Sequence, residues 1–226
     1  MTRSSNARIA GFTFLFYIVA GIASMIMSAH SVAGHDVTTK LISIGQHLLQ
    51  MRLTLLLGLI QSICAILLAV TLYSITRDED PDLALLAMIC RVCEGLIGAL
   101  SLNISLGLLW LAASSETSSP SQATVDALGT YLTQAPHGNL DAIFFALGST
   151  LFAWLLLRGR MIPVPLAWLG VAASVLLVVT LPLQLAGFLS GQFVSFVWIP
   201  MAVYEIPLGL WLIIKGVSAQ NGRLRT

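Results

Sequence analysis

Apolar residues crowd into six long stretches, near residues 9–29, 53–75, 83–113, 140–157, 163–189 and 193–215, and short polar segments separate them. Each stretch is about as long as, or longer than, the roughly 20 residues that an α-helix needs to cross the hydrocarbon core of a bilayer. The first follows Arg3 and Arg8 and precedes Ser31-Val32-Ala33, which has the small-x-small form of a signal-peptidase site. It is longer than a signal h-region, so it is expected to remain as a spanning helix.

The third stretch carries a second pattern inside the first. Ala84, Ala87, Arg91, Glu94, Gly98, Ser101 and Ser105 recur at alternating steps of three and four residues, with leucine and isoleucine over much of the remaining surface. On a helix this spacing collects all seven on one seam. A small-and-polar stripe on an apolar helix belongs against other helices in lipid.

Breakers and caps mark where the helices start and stop. Arg77-Asp78-Glu79-Asp80 is a charged turn, after which Pro81 and Asp82 suit a first helical turn. Residues 114–122 are rich in Ser and Thr and contain Pro120, which predicts a loop. Asn139 suits the cap of the fourth span, and Asp141 suits its first turn, where the helix dipole favours a negative charge. Pro163 and Pro165 open the fifth span, Pro182 is placed to kink it, and the sixth contains Pro200 and Pro207. Two shorter segments are amphipathic. Leu41, Ile44 and Leu48 alternate with Lys40, Gln46, His47 and Gln50, and Val125, Leu128 and Leu132 precede a stop at Pro136 and Gly138. Both predict short helices lying at the membrane interface, the first with the option of an early start to the second span.

Composition agrees with this pattern. The chain is 57% hydrophobic and only 9% charged, against a usual charged share of about 25%. Its net charge of +1 and lack of a basic cluster point away from nucleic acid and from a dedicated lipid-headgroup patch. Cys64, Cys90 and Cys93 all lie within apolar runs, which argues against a disulfide framework. The expected fold is all-α: a single integral membrane domain of six transmembrane helices, with two short extracytoplasmic amphipathic helices. The latter precede the second and fourth spans, which suggests two similar helix–amphipath–helix units.

Basic residues choose the orientation. With the amino terminus inside, the inner side holds Arg3, Arg8, Arg77, Arg158, Arg160, Lys215, Arg223 and Arg225, and the outer side holds Lys40 and Arg52. This positive-inside asymmetry predicts both termini in the cytoplasm of a cell with the protein in its plasma membrane.

Several short motifs, taken in order, resemble a known family. They are Arg8-Ile9-Ala10-Gly11, Leu72-Tyr73, Arg91 with Glu94, and Leu157-Arg158-Gly159-Arg160-Met161-Ile162-Pro163 with Leu166. Glu205 followed by Leu210-Trp211-Leu212-Ile213-Ile214-Lys215-Gly216 completes the set. Together they are similar to the domain of unknown function 4386 over nearly the whole chain, with Gly159 standing where a small polar residue is usual. The resemblance implies a bacterial or archaeal multi-pass membrane protein and supplies no activity.

Arg91, Glu94 and Glu205 are the leading candidate site. Arg91 lies roughly 12 Å and Glu94 roughly 16 Å past Leu83, and Glu205 lies roughly 15 Å before Lys215 at 1.5 Å per residue. All three therefore reach a similar depth, which places the third helix against the sixth. A lone charge at mid-membrane costs about 2.5–3.5 kcal/mol, so pairing is expected. A guanidinium can fork between two carboxylates, and with one cation against two acids one glutamate is expected to keep its proton. The cluster reads either as a staple that sets helix register or as a proton- or ligand-responsive site.

Cys90 and Cys93 form C-x-x-C around Arg91, but an uninterrupted helix in the cytoplasmic half is poor ground for thiol redox chemistry. His30, His35, His47 and His137 all fall on the outer side, and as metal ligands they are weak candidates because no pair has i, i+4 spacing. No metal or cofactor is expected. Nucleotide-binding and hydrolase motifs do not occur, no catalytic residue is assignable, and Gly148-Ser149, Gly170 and Gly187 with Gly191 read as helix-packing positions. Trp110, Trp154, Trp168, Trp198 and Trp211 mostly sit near span ends, as an aromatic belt would.

Two function classes follow. The first, which the residues favour, is a non-catalytic membrane module that binds a lipid or small hydrophobic molecule or assists another membrane protein. It would line a hydrophobic cavity with Gly98, Ser101 and Ser105. The second is an intramembrane enzyme or proton-coupled carrier using Arg91, Glu94 and Glu205. Oligomeric state is not legible. The orientation is open to direct test: reporters that work only in the cytoplasm should be active when fused to either terminus, and activity at one end alone would remove the even number of spans.

Overall fold

Local rules account for several helix ends in the computed structural model, which describes residues 2–34, 36–114, 121–134 and 140–218. Eight helices follow in order: α1 (Arg3–Ser31), α2 (Val37–Gln46), α3 (Leu48–Thr76), α4 (Pro81–Ser114), α5 (Gln122–Gln134), α6 (Leu140–Arg158), α7 (Val164–Leu185) and α8 (Gly191–Ile214). No strand occurs among the described residues. Six helices, α1, α3, α4, α6, α7 and α8, are long and apolar enough to cross a membrane, and α2 and α5 are the two short ones. The all-α, six-span expectation therefore holds.

Asp80 accepts the amide of Leu83 at 3.2 Å, so α4 starts at the charged turn with Pro81 in its first position. Asp36 caps α2 through a reciprocal arrangement with Thr39. The Thr39 hydroxyl and amide hold the Asp36 carboxyl below its ordinary range. The chain breaks at His47, where the backbone N–H turns back to Ser43 and Ile44, so Leu48 belongs to α3 and not to the amphipathic segment. The fifth span was expected to reach residue 189 but α7 stops at Leu185. Gly187 then takes a left-handed φ of 82°, which ends the helix at little cost for glycine. Gly191 opens α8, so Gly187 and Gly191 share no helix face and form no G-x-x-x-G seam. The expected stop at Pro136 and Gly138, the Asn139 cap, and most of the 114–122 loop lie outside the described residues.

The contacts sort into two compact units. The first takes α1 up to Tyr17, α3 from Ile63, α4 up to Leu96, and all of α6, α7 and α8. Its core includes Leu72, Ile75, Phe152, Leu177, Met201 and Leu208, all buried. Close approach is set by glycine. An added Cβ at Gly11 on α1 would lie 2.6 Å from the Gly209 carbonyl of α8, and one at Gly170 on α7 would fall on the Tyr204 ring. At one end, Arg158 closing α6 reaches Glu79 at 3.2 Å and Asp80 at 3.1 Å. Arg158 is half-exposed, so this tie is a modest one.

The second unit takes α1 from Ile18, α2, α3 up to Ser62, α4 from Ile97, and α5. Here α2 packs on α5, with Gly129 leaving room for Val37. Ile44, Met51, Leu108 and Ala112 form its buried apolar cluster, bordered by Leu41 and Leu132. Thus the amphipathic residues of α2 and α5 turn toward a common core.

Many large apolar side chains point outward, among them Phe16, Leu100, Trp110 and Phe196. Spanning helices present such a surface to lipid, where the backbone bonds stay satisfied within each helix. Gly11→Ala should lower the melting temperature in detergent by the equivalent of about 1–3 kcal/mol, because the opposing atom is backbone and cannot move aside. Gly58→Ala, whose new methyl would meet only the tip of Leu102, should hold or raise it through better helix propensity. Equal effects of the two substitutions would remove the close α1–α8 approach as the cause.

Candidate functional site

The seam on α4 divides into a buried part and an open part. Ala84, Ala87, Arg91 and Glu94 are buried, Gly98 and Ser105 are half-buried, and Ser101 is exposed. Small residues explain the buried half. Gly148 on α6 has no side chain, and a Cβ there would lie 2.8 Å from Arg91 Cγ and 3.2 Å from the Ala87 carbonyl. The α6 backbone therefore covers the arginine stem, which gives Gly148 a specific partner beyond general helix packing.

Arg91 is only 1% exposed, the largest side chain among the described residues to be so deeply buried. Its Nη1 lies 2.9 Å from Glu94 Oε2. The two groups come from one helix three residues apart, and their contact is one of charge without an aligned hydrogen bond. Nε, Nη1 and Nη2 of Arg91 and Oε2 of Glu94 all lack a hydrogen-bond partner. Aromatic rings flank the cation instead, with Cζ 4.9 Å from the Phe145 centroid and 5.9 Å from that of Tyr17. Such placement stabilises a desolvated guanidinium by about 2 kcal/mol. The Tyr17 hydroxyl, from α1, donates to Glu94 Oε1 at 2.9 Å.

Glu205 reaches this cluster from α8 and is 6% exposed. It lines the same small cavity as Arg91, together with Ser149, Phe152, Tyr204 and Leu208. The expected fork of Arg91 between both carboxyls is therefore incomplete. The direct ion pair runs to Glu94 within α4, and Glu205 faces the guanidinium group's cavity without an ion pair among the described residues. Helical spacing favours the first contact, since i, i+3 neighbours share a face whatever the bundle does.

Three residues of this site escaped the sequence reading, Tyr17, Phe145 and Tyr204, and Ser149 was read only as a helix-packing position. A hydroxyl inside the first apolar run was the available signal for Tyr17, and Tyr204 adjoins Glu205. Nothing local marked Phe145. Of the other candidates, Cys90 and Cys93 are free thiols one turn apart inside α4. His30 sits in the last turn of α1, and His47 Nδ1 lies 2.9 Å from the Ser43 carbonyl. His35 and His137 lie outside the described residues. Among the described residues no three His, Cys, Asp or Glu side chains converge as metal ligands.

The family model for the domain of unknown function DUF4386 matches residues 9–216, from the start of the first apolar run to the end of the last. The chain belongs to the DUF4386 family. In comparisons with curated proteins and with solved structures, nothing matches. This DUF4386 protein is thus a multi-pass membrane protein of a family with no assigned function. Its cluster gathers a buried cation, two buried carboxyls and a serine hydroxyl, groups that can hold a charge and a proton in a dry setting.

Arg91→Met should destabilise the detergent-solubilised protein by about 3–5 kcal/mol, because it strands a buried carboxylate. Arg91→Met combined with Glu94→Gln should recover most of that loss, since it removes both charges. Additive losses in thermal unfolding would show that the two residues do not act as a pair.

Proposed function

We propose that this protein is a non-catalytic module of the plasma membrane, both termini cytoplasmic, that binds and releases a proton at Arg91, Glu94 and Glu205. One observation carries the reading: a single buried guanidinium meets two buried carboxyls, one in contact and one across a small cavity. Two ionised carboxylates would leave a surplus negative charge in a medium that penalises it, so charge balance calls for one proton on the pair. The groups around that proton are Arg91 and Glu94 on α4, Glu205 and Tyr204 on α8, and Tyr17 on α1, with Asp141 on α6 acting on Glu94 from farther off. Coupled groups of this kind titrate as a unit and not as separate residues.

The binding of a lipid or small hydrophobic molecule is the second reading. Exposed Ile42 and Leu49 near α2 and Tyr131 on α5 support contact of these helices with lipid. For a ligand site on the seam, the exposed Ser101 and half-buried Gly98 and Ser105 are weaker support than the polar cavity is for a proton.

Infrared spectroscopy across a pH range tests the first reading in the intact protein. The wild type should show a protonated-carboxyl C=O band that changes with pH, and Glu205→Gln or Glu94→Gln should abolish or displace it. A wild-type spectrum whose only pH-dependent carboxyl signal persists in both variants would overturn proton binding at this cluster.

A further inference from the structure

The buried cation has hydrogen-bond donors that its known neighbours do not use. Phe145 and Tyr17 answer its charge through their ring faces, and ring faces leave the in-plane N–H groups unsatisfied. Glu94 touches Nη1 out of alignment. A guanidinium carries five N–H donors, and leaving them unmatched in a nearly dry interior is costly. Beside them lies a cavity of about 10 Å³ that also meets Ser149 and Glu205.

From this we infer that the cavity is a binding site for one water molecule, which bridges the Arg91 guanidinium to the Glu205 carboxyl with the Ser149 hydroxyl as its third partner. The size fits, since a single water needs roughly 10–15 Å³ of room for its centre and two to four polar partners. The competing occupants fail on charge or size. An anion would face Glu205, a metal cation would face Arg91, and a lipid chain or organic ligand needs far more space. The bridge explains how Glu205 joins the cluster with no ion pair to Arg91 among the described residues. It also supplies the hydrogen bonds that aromatic stacking cannot. The inference goes beyond the proton-binding reading and stands without it.

Hydroxyl-radical labelling by X-ray radiolysis, read by mass spectrometry on the full-length protein in detergent, tests it. Radicals formed from an internal water modify the side chains beside it even where bulk water is excluded. Phe152 and Tyr204, which are 2% and 3% exposed, should be modified in the wild type. Their modification should fall several-fold in Ser149→Val, which replaces the hydroxyl by methyls. Unmodified Phe152 and Tyr204 in the wild type, or equal rates in folded Ser149→Val, would overturn the site. Should that variant fail to fold, an electron-microscopy map that shows other ordered waters decides the matter. A peak within hydrogen-bond reach of Arg91 and Glu205 supports the bridge, and its absence overturns it. A pH-dependent carboxyl band that persists in both glutamine variants, with labelling of Phe152 and Tyr204 retained in the wild type, would defeat proton binding alone.

Discussion

A full positive charge buried among apolar helices constrains everything near it. Arg91 is shut off from bulk water, so its surroundings must replace what that water would supply. They do so in three ways: Glu94 brings opposite charge, Phe145 and Tyr17 bring ring faces, and Gly148 brings a backbone close enough to seal the stem. Glu94 comes from the same helix as Arg91, whereas the rings and the Gly148 backbone come from α1 and α6 and depend on those helices being held at one rotation.

That dependence links packing to function. A pair of charges on one helix would form almost regardless of the bundle, so the contact of Arg91 with Glu94 specifies little. The arrival of Tyr17 and Glu205 specifies more, because it requires α1 and α8 to present particular faces to α4. Gly11 against Gly209 holds α1 to α8 closely, and Gly170 makes room for the Tyr204 ring one residue before Glu205. The same glycines that allow tight packing therefore also aim the polar groups. A structural staple and the proposed proton site are not exclusive here, since the same buried cluster would serve both.

The two short helices follow a different logic. Neither could span a bilayer, and each is amphipathic enough to need a covered face. They cover one another and the Ile44–Met51–Leu108 cluster, so their sequence periodicity records a local core as much as an interface with lipid.

What the sequence by itself determined is what depends on neighbours along the chain. The six apolar runs, the capped start at Asp80–Pro81, the α2 and α5 helices and the family membership all follow from local pattern, because hydrophobic length, capping and proline act within a turn or two. The depth count also brought Arg91, Glu94 and Glu205 together, since helix rise is nearly constant. Only the tertiary structure decided which half of the α4 seam is buried, that Tyr17 donates to Glu94, and that Glu205 shares a cavity with Arg91 without an ion pair to it among the described residues. These are matters of helix rotation and of ångström-scale approach. A repeat of three and four residues names a face of one helix, but it does not say which residue on another helix will meet it.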